Sequence, residues 1–139
     1  MKKINTRFGE VEYDPDNLLH FPAGLIGLPN LHHFIVMPNK KQGPLFWIQS
    51  IDDPDIAFVL TDPTNFFLDY QLTPEDSERQ SLQLDKSDDC FILSVVTVPA
   101  DQKITLNLAA PILFAPKTNR AIQVIVENSN YSSKTPLPQ

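Results

Sequence analysis

Thirteen prolines, spread from Pro15 to Pro138 of a 139-residue chain, constrain its fold more than any other sequence feature. Proline breaks the interior of a helix and cannot donate a hydrogen bond within a β-sheet. Its share is roughly twice the ~5% that is usual in globular domains. Short strands separated by many turns accommodate so many prolines, whereas long helices do not. We therefore predict an all-β fold.

Short runs of β-branched and aromatic residues, separated by turn residues, predict the strands. The clearest runs are 45–50 and 56–61, joined by a turn at 52–55. Residues 4–13 predict a hairpin, and residues 31–37 a helical turn leading into a strand. About nine short strands favour a small antiparallel β-barrel-like domain. The remaining predicted strands are 18–21, 66–72, 91–98, 104–108, 112–114 and 121–126.

One short helix is predicted near residues 74–82. Thr73 can cap it, Pro74 suits its first position, and the two acids that follow favour the positive end of the helix dipole. Residues 22–29 hold two glycines and two prolines, which indicates a shaped loop. We expect one domain over residues 1–130 and a loose C-terminal tail over 131–139.

The chain has 17 acidic and 11 basic residues, for a net charge of −6. Direct nucleic-acid binding is not expected, because neutralising phosphates with a basic surface supplies much of that affinity. No membrane association is expected either, since the longest mainly apolar run, 91–98, is far shorter than the ~20 residues that span a bilayer. The basic N-terminus leads into no apolar run typical of a secretion signal, so we expect a cytoplasmic protein.

Most of the excess negative charge lies in the stretch 69–89, which holds seven acids and two bases. Such a stretch is typical of a solvated surface that aids solubility. It is also typical of a docking site for a basic partner, because charge complementarity speeds encounter and selects partners. The residues alone leave both interpretations open.

Residues that could carry catalysis or bind a metal are few. Only His20, His32 and His33 could serve as the base that activates a nucleophile. The single cysteine, Cys90, has no disulfide partner and begins an apolar run, where a buried inert thiol is common. The aspartates within 52–55 match no calcium loop and suit a turn. No phosphate-binding or hydrolase motif is present. We expect no enzymatic activity, no cofactor and no metal.

Two other function classes remain open at this point. A small enzyme could use an acid pair such as Asp52 and Asp69 in a concave pocket. A structural subunit would present a large apolar face and self-associate.

Polar residues beside aromatic ones stand out in four places. They are Gln-Ser at 49–50 after Trp47, Asn-Phe-Phe at 65–67, Asp-Tyr at 69–70, and Asn107 in an otherwise apolar run. Aromatic-rich segments usually belong to the core. Aromatic side chains with a few placed polar groups also act as anchors in protein interfaces, so a binding surface is the alternative.

Several segments stand in a characteristic order along nearly the whole chain. They are 21–28, 46–54, 56–60, 69–70, 107–112, 123–126, Tyr131 and 135–137. Their order resembles the flagellar assembly factor FliW family. The resemblance implies a β-barrel-like protein without enzymatic activity. It also implies that flagellin is held in the cytoplasm and that the protein, when free, binds the translational regulator CsrA and relieves repression of flagellin mRNA.

The resemblance also suggests which residues contact flagellin and CsrA. Phe67 and Tyr70 are expected to be anchors, and Asp69 to supply the charge that meets a basic partner. The free protein is expected to be a monomer. The predicted contact residues are Asp52, Asp53, Asn65, Phe66, Phe67, Asp69, Tyr70, Gln71 and Asn107.

Overall fold

The computed structural model describes residues 1–37, 43–98, 103–127 and 131–138. A single α-helix, α1, spans Asp76–Ser81 within these ranges, and a 3-10 turn spans Pro63–Asn65. The strands are β1 (Lys2–Thr6), β2 (Gly9–Tyr13), β3 (Leu19–His20), β4 (His33–Met37), β5 (Leu45–Ser50), β6 (Ala57–Thr61), β7 (Phe91–Thr97), β8 (Thr105–Leu106), β9 (Ile112–Ala115), β10 (Arg120–Gln123) and β11 (Thr135–Pro136).

Seven of these strands close into a barrel in the order β7-β6-β5-β4-β3-β10-β9, with β9 returning to β7. Every neighbouring pair in this ring is antiparallel except β3 and β10, which run parallel and meet at His20 and Arg120. The hairpin β1–β2 forms a separate two-stranded sheet. The all-β, barrel-like prediction is confirmed.

Strand β7 changes its partner half-way along. Residues 91–93 pair with β9, whereas Val96 and Thr97 pair with β8, and β8 in turn pairs with β11. The barrel therefore carries a short two-stranded extension, β8–β11, on one side.

Successive residues of a strand point to opposite faces, so every second residue of a barrel strand points into the interior. Apolar side chains occupy these positions. Phe34 on β4, Ile48 on β5 and Leu60 on β6 are fully buried in one cluster. Burying side chains of this size contributes roughly 1.5–3 kcal/mol each to folding. The buried members of the cluster are Leu19, Phe21, Leu25, Leu31, Phe34, Ile48, Leu60, Ile112 and Ala121.

Two further clusters lie apart from the barrel interior. Leu82 and Leu84, at the end of α1, pack with Leu113 and Ala115 of β9. Those two β9 residues alternate with Ile112, which belongs to the interior cluster, so they occupy the outer face of the strand. The other cluster packs the segment after β6 against β8.

The loop 22–29 is shaped, as its composition predicts. Leu25 and Leu28 form a bridge by exchanging two backbone hydrogen bonds. Gly24 has a φ of +69°, and a Cβ atom there would lie 2.5 Å from the carbonyl oxygen of Pro29. Only glycine fits this position, because a Cβ atom would clash with the Pro29 backbone and the left-handed conformation disfavours other residues.

The short helix lies within the predicted 74–82, but Thr73 is not its cap. The helix begins at Asp76 rather than near Thr73, because the Glu78 carboxylate accepts a hydrogen bond from Glu75 N–H (2.8 Å) and fixes Glu75 as the N-cap. The expected loose tail is held over its described part, 131–138, where β11 pairs with β8 and Tyr131 packs into a core cluster.

Two further predictions fail near other turns. No strand forms at 66–72. The 3-10 turn that begins at Pro63 redirects the chain, and the aromatic residues of 66–70 pack in the cluster that contains Leu106 of β8. No helical turn precedes β4, because the N–H groups of His32 and His33 bond to Asp52 instead of continuing a helix.

Candidate partner-binding surface

The segment after β6 contains most of the predicted contact residues, and local hydrogen bonds fix its shape. Asp62 starts the 3-10 turn, since its carboxylate accepts hydrogen bonds from Thr64 N–H (2.9 Å) and from the Thr64 hydroxyl (2.6 Å). The N–H of Phe67 then bonds to Pro63 O (2.8 Å), and the N–H of Tyr70 to Phe67 O (3.0 Å). Successive turns, not a strand, carry the chain through 62–70.

Tyr70 holds this segment to the body of the protein. Its side chain is only 4% exposed, and its hydroxyl donates a hydrogen bond to Leu108 O (2.9 Å). The Tyr131 ring lies 4.9 Å away. Burial, with a smaller contribution from Tyr131, raises the pKa of Tyr70 to about 12. Because so little of Tyr70 is exposed to solvent, its side chain positions the loop and offers a partner almost no contact area.

Phe66 and Phe67 support the same arrangement. Both are half-buried and pack with Tyr70 against Val96 and Leu106. Their aromatic rings therefore serve mainly as the base of the loop, while part of each remains accessible. Of the two predicted anchors, only Phe67 could contribute surface to a partner.

The exposed residues of this loop form its outer side. Leu68 is 85% exposed and projects between the packed Phe67 and the exposed Asp69. Asn65 and Gln71 are also exposed. Single exposed apolar residues are common on protein surfaces, so Leu68 gains interest only from its place beside Asp69 on a loop whose shape is fixed. Sequence reasoning included Leu68 in the segment but did not single it out, since its apolar character resembles that of its buried neighbours.

Asn107 lies where β7 changes its partner. Its N–H bonds to Val95 O (3.0 Å), and its carbonyl oxygen accepts from the buried Ser94 hydroxyl (2.9 Å). Its side-chain oxygen accepts from Ala110 N–H (3.0 Å). Asn107 is half-buried and adjoins Leu108, the residue that Tyr70 bonds to. These contacts give it a structural role beneath the loop.

The comparisons with known proteins agree with this architecture. The family model described as "FliW protein" matches residues 2–137. The flagellar assembly factor FliW 2 of Desulfotalea psychrophila is 69% identical over 138 residues, covering 99% of this chain and 91% of that protein. The chain belongs to the FliW family.

Other FliW proteins cover the whole fold. The flagellar assembly factor FliW of Syntrophotalea carbinolica is 64% identical, over 99% of this chain and 98% of that protein. A crystal structure of the flagellar assembly factor FliW superposes with a TM-score of 0.88 at 29% identity, over 99% of this chain and 98% of that one. The family resemblance drawn from the sequence is confirmed.

Asp52 of this FliW family member organises the turn between β5 and β6. Its carboxylate accepts hydrogen bonds from the N–H groups of His32 (2.7 Å) and His33 (2.8 Å), and the His33 ring lies 3.5 Å away. Partial burial acts to raise its pKa, but the bonds from His33 and His32 outweigh burial, so the pKa lies below its ordinary value. Asp52 thus stays ionised at neutral pH and fixes the start of β4.

Three histidines surround Asp52. The rings of His20 and His33 stack with their centroids 5.1 Å apart, and His32 Nδ1 lies 2.9 Å from Phe21 O. Burial lowers the pKa of His20, and its proximity to His33, Arg120 and His32 lowers it further, against a smaller opposing effect of Asp52. Within the described residues, no group of His, Cys, Asp or Glu side chains is arranged to hold a metal ion.

The predicted contact residues of this chain fall into two places. Asp52 and Asp53 precede β6, whereas 65–71 follows it, and the strand between them spans roughly 16 Å at ~3.3 Å per residue. Asp53 serves its own turn, with its N–H bonded to the Ser50 hydroxyl (2.9 Å) and its carboxylate accepting from Asp55 N–H (3.1 Å). Asp52, one acid of the pair considered for a small enzyme, accepts its hydrogen bonds from the N–H groups of His32 and His33.

Several acids of the stretch 69–89 already make hydrogen bonds or an ion pair within this protein. Glu78 belongs to the helix cap, and Asp88 pairs with Lys117 Nζ at 3.1 Å. A hydrogen bond from Asp85 N–H and the Lys117 ammonium hold the pKa of Asp88 below its usual range. Arg79 bonds to two backbone carbonyls within the same stretch. Asp69 is exposed and makes no such contact among the described residues.

The membrane and thiol predictions can be compared with the fold as far as it is described. None of the described helices has the length and apolar character needed to cross a membrane. Cys90 is half-buried, and burial raises the pKa of its thiol. A thiol kept protonated in this way is a weak nucleophile.

Proposed function

We propose that this FliW family member is a non-enzymatic flagellar assembly factor that holds flagellin in the cytoplasm. When flagellin is exported, the free protein binds and antagonises the translational regulator CsrA. Repression of flagellin mRNA translation is then relieved. The protein would act as a monomer that exchanges partners and would need no cofactor.

The exposed side of the loop 65–71 is the observation that carries this proposal. Leu68 offers apolar area beside the carboxylate of Asp69, and the hydrogen bond from Tyr70 to Leu108 O keeps the loop in place. A preformed surface binds with a smaller entropy cost than one that must order on contact. The combination supports a protein partner with an apolar socket and a nearby basic group.

Partner exchange requires flagellin and CsrA to compete for the same free protein. Flagellin present well above its dissociation constant keeps the concentration of free protein low, and its export releases the protein to CsrA. CsrA, as an RNA-binding protein, is expected to be basic, so exposed carboxylates such as Asp69 favour its approach. Control of RNA then needs no contact between this acidic protein and RNA, because binding shifts CsrA between states.

A calorimetric titration with flagellin from the same organism tests the first half of the proposal. We expect one-to-one binding that Leu68→Ser weakens by about tenfold or more, since loss of an interface anchor costs ~1–2 kcal/mol or more. Asp16→Lys, at an exposed turn residue after β2, is the matched surface control and should bind normally. Absence of binding heat at two temperatures would overturn the flagellin half.

A competition titration tests the second half. CsrA should bind the free protein and be displaced by flagellin, and Asp69→Lys should weaken CsrA binding through like-charge repulsion while the circular dichroism spectrum stays unchanged. Full CsrA affinity in Asp69→Lys would remove Asp69 from the interface. Simultaneous binding of both partners would contradict the exchange itself.

A further inference from the structure

Strands β6 and β7 separate before either one ends. They pair through Val59↔Val96, Leu60↔Val95 and Thr61↔Ser94, and the pairing stops there. Strand β6 nevertheless begins two residues earlier, at Ala57, and on the other side the chain continues past Val96 to Val98. A notch therefore opens between residues 57–58 of β6 and residues 97–98, at the end of β7.

Backbone groups on both sides of this notch face one another without bonding. The bond from Ser50 N–H to Ile56 O directs Ile56 towards β5, so the next residue, Ala57, faces β7. The bond from Asn107 N–H to Val95 O directs Val95 towards β8, so Val96 and Val98 face β6. No backbone hydrogen bond joins Ala57 to Val98. Strand edges of this kind are templates for another strand.

The notch widens into a cavity of about 550 Å³. Its walls are mainly apolar, and Val98 at its rim is 57% exposed. The hairpin β1–β2 forms one side, where the Phe8 ring contacts the Trp47 ring at a centroid distance of 5.0 Å. The lining residues are Arg7, Leu45, Trp47, Ala57, Phe58, Val59, Val95, Val96, Thr97 and Val98.

Arg7 is the one charged residue among those that line the notch. Its guanidinium lies 5.2 Å from the centre of the Phe8 ring and 5.8 Å from that of Trp47, so two aromatic faces position it. In the described part of the chain, no carboxylate lies within 4.0 Å of it. A fixed cation without a carboxylate partner, on a chain with a net charge of −6, is complementary to an acidic group of a ligand.

We propose that the notch binds an extended segment of a partner protein that carries apolar side chains and one acidic side chain. The segment hydrogen-bonds to the backbone groups that Val98 and Ala57 direct into the notch, packs its apolar side chains on Trp47 and Val98, and places its carboxylate on Arg7. Main-chain bonds provide affinity in such strand addition, and the side-chain contacts select the sequence. This site is separate from the exposed side of the loop 65–71 and does not depend on flagellin or CsrA as partners.

Selection of random dodecapeptides on phage against the purified wild-type protein tests the proposal. Enriched sequences should alternate apolar residues and contain one Asp or Glu. The affinity of a selected peptide, measured by fluorescence polarisation, should fall about tenfold or more in Arg7→Glu through charge reversal. It should fall similarly in Val98→Pro, which removes the N–H that faces the notch. Lys2→Glu, with the same charge change on the hairpin, and Val98→Thr should bind normally.

A second measurement separates strand addition from simple apolar contact. Amide hydrogen exchange followed by NMR should slow at Val98 and Ala57 when the peptide binds, because both N–H groups then gain partners. The proposal is overturned if no sequence is enriched, or if selected peptides bind Arg7→Glu and Val98→Pro, shown folded by circular dichroism, as tightly as the wild type. It is also overturned if decanoate, which offers the same carboxylate on an acyl chain, binds in an Arg7-dependent manner and no peptide does.

Discussion

Tyr70→Phe removes one hydroxyl and tests whether the loop 65–71 depends on the bond to Leu108 O. The substitution deletes a net hydrogen bond of ~1 kcal/mol and leaves a buried carbonyl without another described donor, so we expect unfolding free energy to fall by about 1–2 kcal/mol. In a domain of this size that corresponds to a loss of about 3–8 °C in Tm. The ring and its contact with Tyr131 stay in place.

Urea unfolding at about pH 8 measures the free energy, and Tyr131→Phe is the matched control, since its hydroxyl makes no hydrogen bond in the described part of the chain. A loss in Tyr70→Phe no larger than in Tyr131→Phe would refute the reasoning. The pH dependence adds a second test. Because burial raises the pKa of Tyr70 to about 12, its contribution is complete below the unfolded value of ~10 and is lost as the pH rises towards 12. The difference between wild type and Tyr70→Phe should shrink over that range.

Two further substitutions address the turns that frame the barrel. Asp52→Asn should reduce the unfolding free energy by about 1 kcal/mol at neutral pH, because the backbone bonds lose their charge assistance. Because the pKa of Asp52 is lowered in the fold, its contribution to the unfolding free energy is present above the ordinary pKa and is lost as the pH falls through the folded value. Urea unfolding from about pH 6 downwards should show this loss in the wild type and not in Asp52→Asn. Gly24→Ala should cost more than about 2 kcal/mol, because its Cβ would meet the Pro29 carbonyl, whereas Gly27→Ala, where a Cβ meets nothing within 4 Å, should cost only about 1 kcal/mol for its positive φ. Equal thermal shifts in the two glycine variants would contradict the steric argument.

The strands that the sequence predicts well are those whose apolar runs are long and bounded by turn residues. β5 occupies the predicted 45–50, β6 begins one residue inside 56–61, and β7 ends one residue short of 98. The turn 52–55 joins antiparallel strands, as Pro54 and its aspartates indicate. Local composition determines these elements, so local reasoning finds them.

The segment 66–72 could not be assigned from composition because the same aromatic residues suit a strand and a packed turn. Asp62 decides between them, since its carboxylate caps the turn at Thr64. The roles of individual residues depend on which side chain points inward. Tyr70 is buried and Leu68 is exposed, although both are large and lie two residues apart. Only tertiary packing separates them.

The sequence could not show that Asp52 and Asn107 lie in different parts of the fold. Both looked like polar contact residues, yet one holds the backbone of β4 and the other holds the point where β7 changes partner. Each accepts hydrogen bonds from backbone N–H groups that have left the regular strand pairing. Polar residues next to apolar strands carry this structural duty as often as they carry recognition, and hydrogen-bond partners distinguish the two.

The parallel pairing of β3 with β10 has a consequence for synthesis of the chain. It joins His20 to Arg120, so the two strands that seal the ring are separated by most of the polypeptide. During translation the ring stays open until β10 has left the ribosome, and its two neighbours, β3 and β9, each keep one unpaired edge until then. Distant pairings of this kind slow folding, because the entropy of closing a long loop is lost before the contact forms. Completion of the barrel therefore follows synthesis of β10, and a chain stopped before residue 120 cannot reach the native ring.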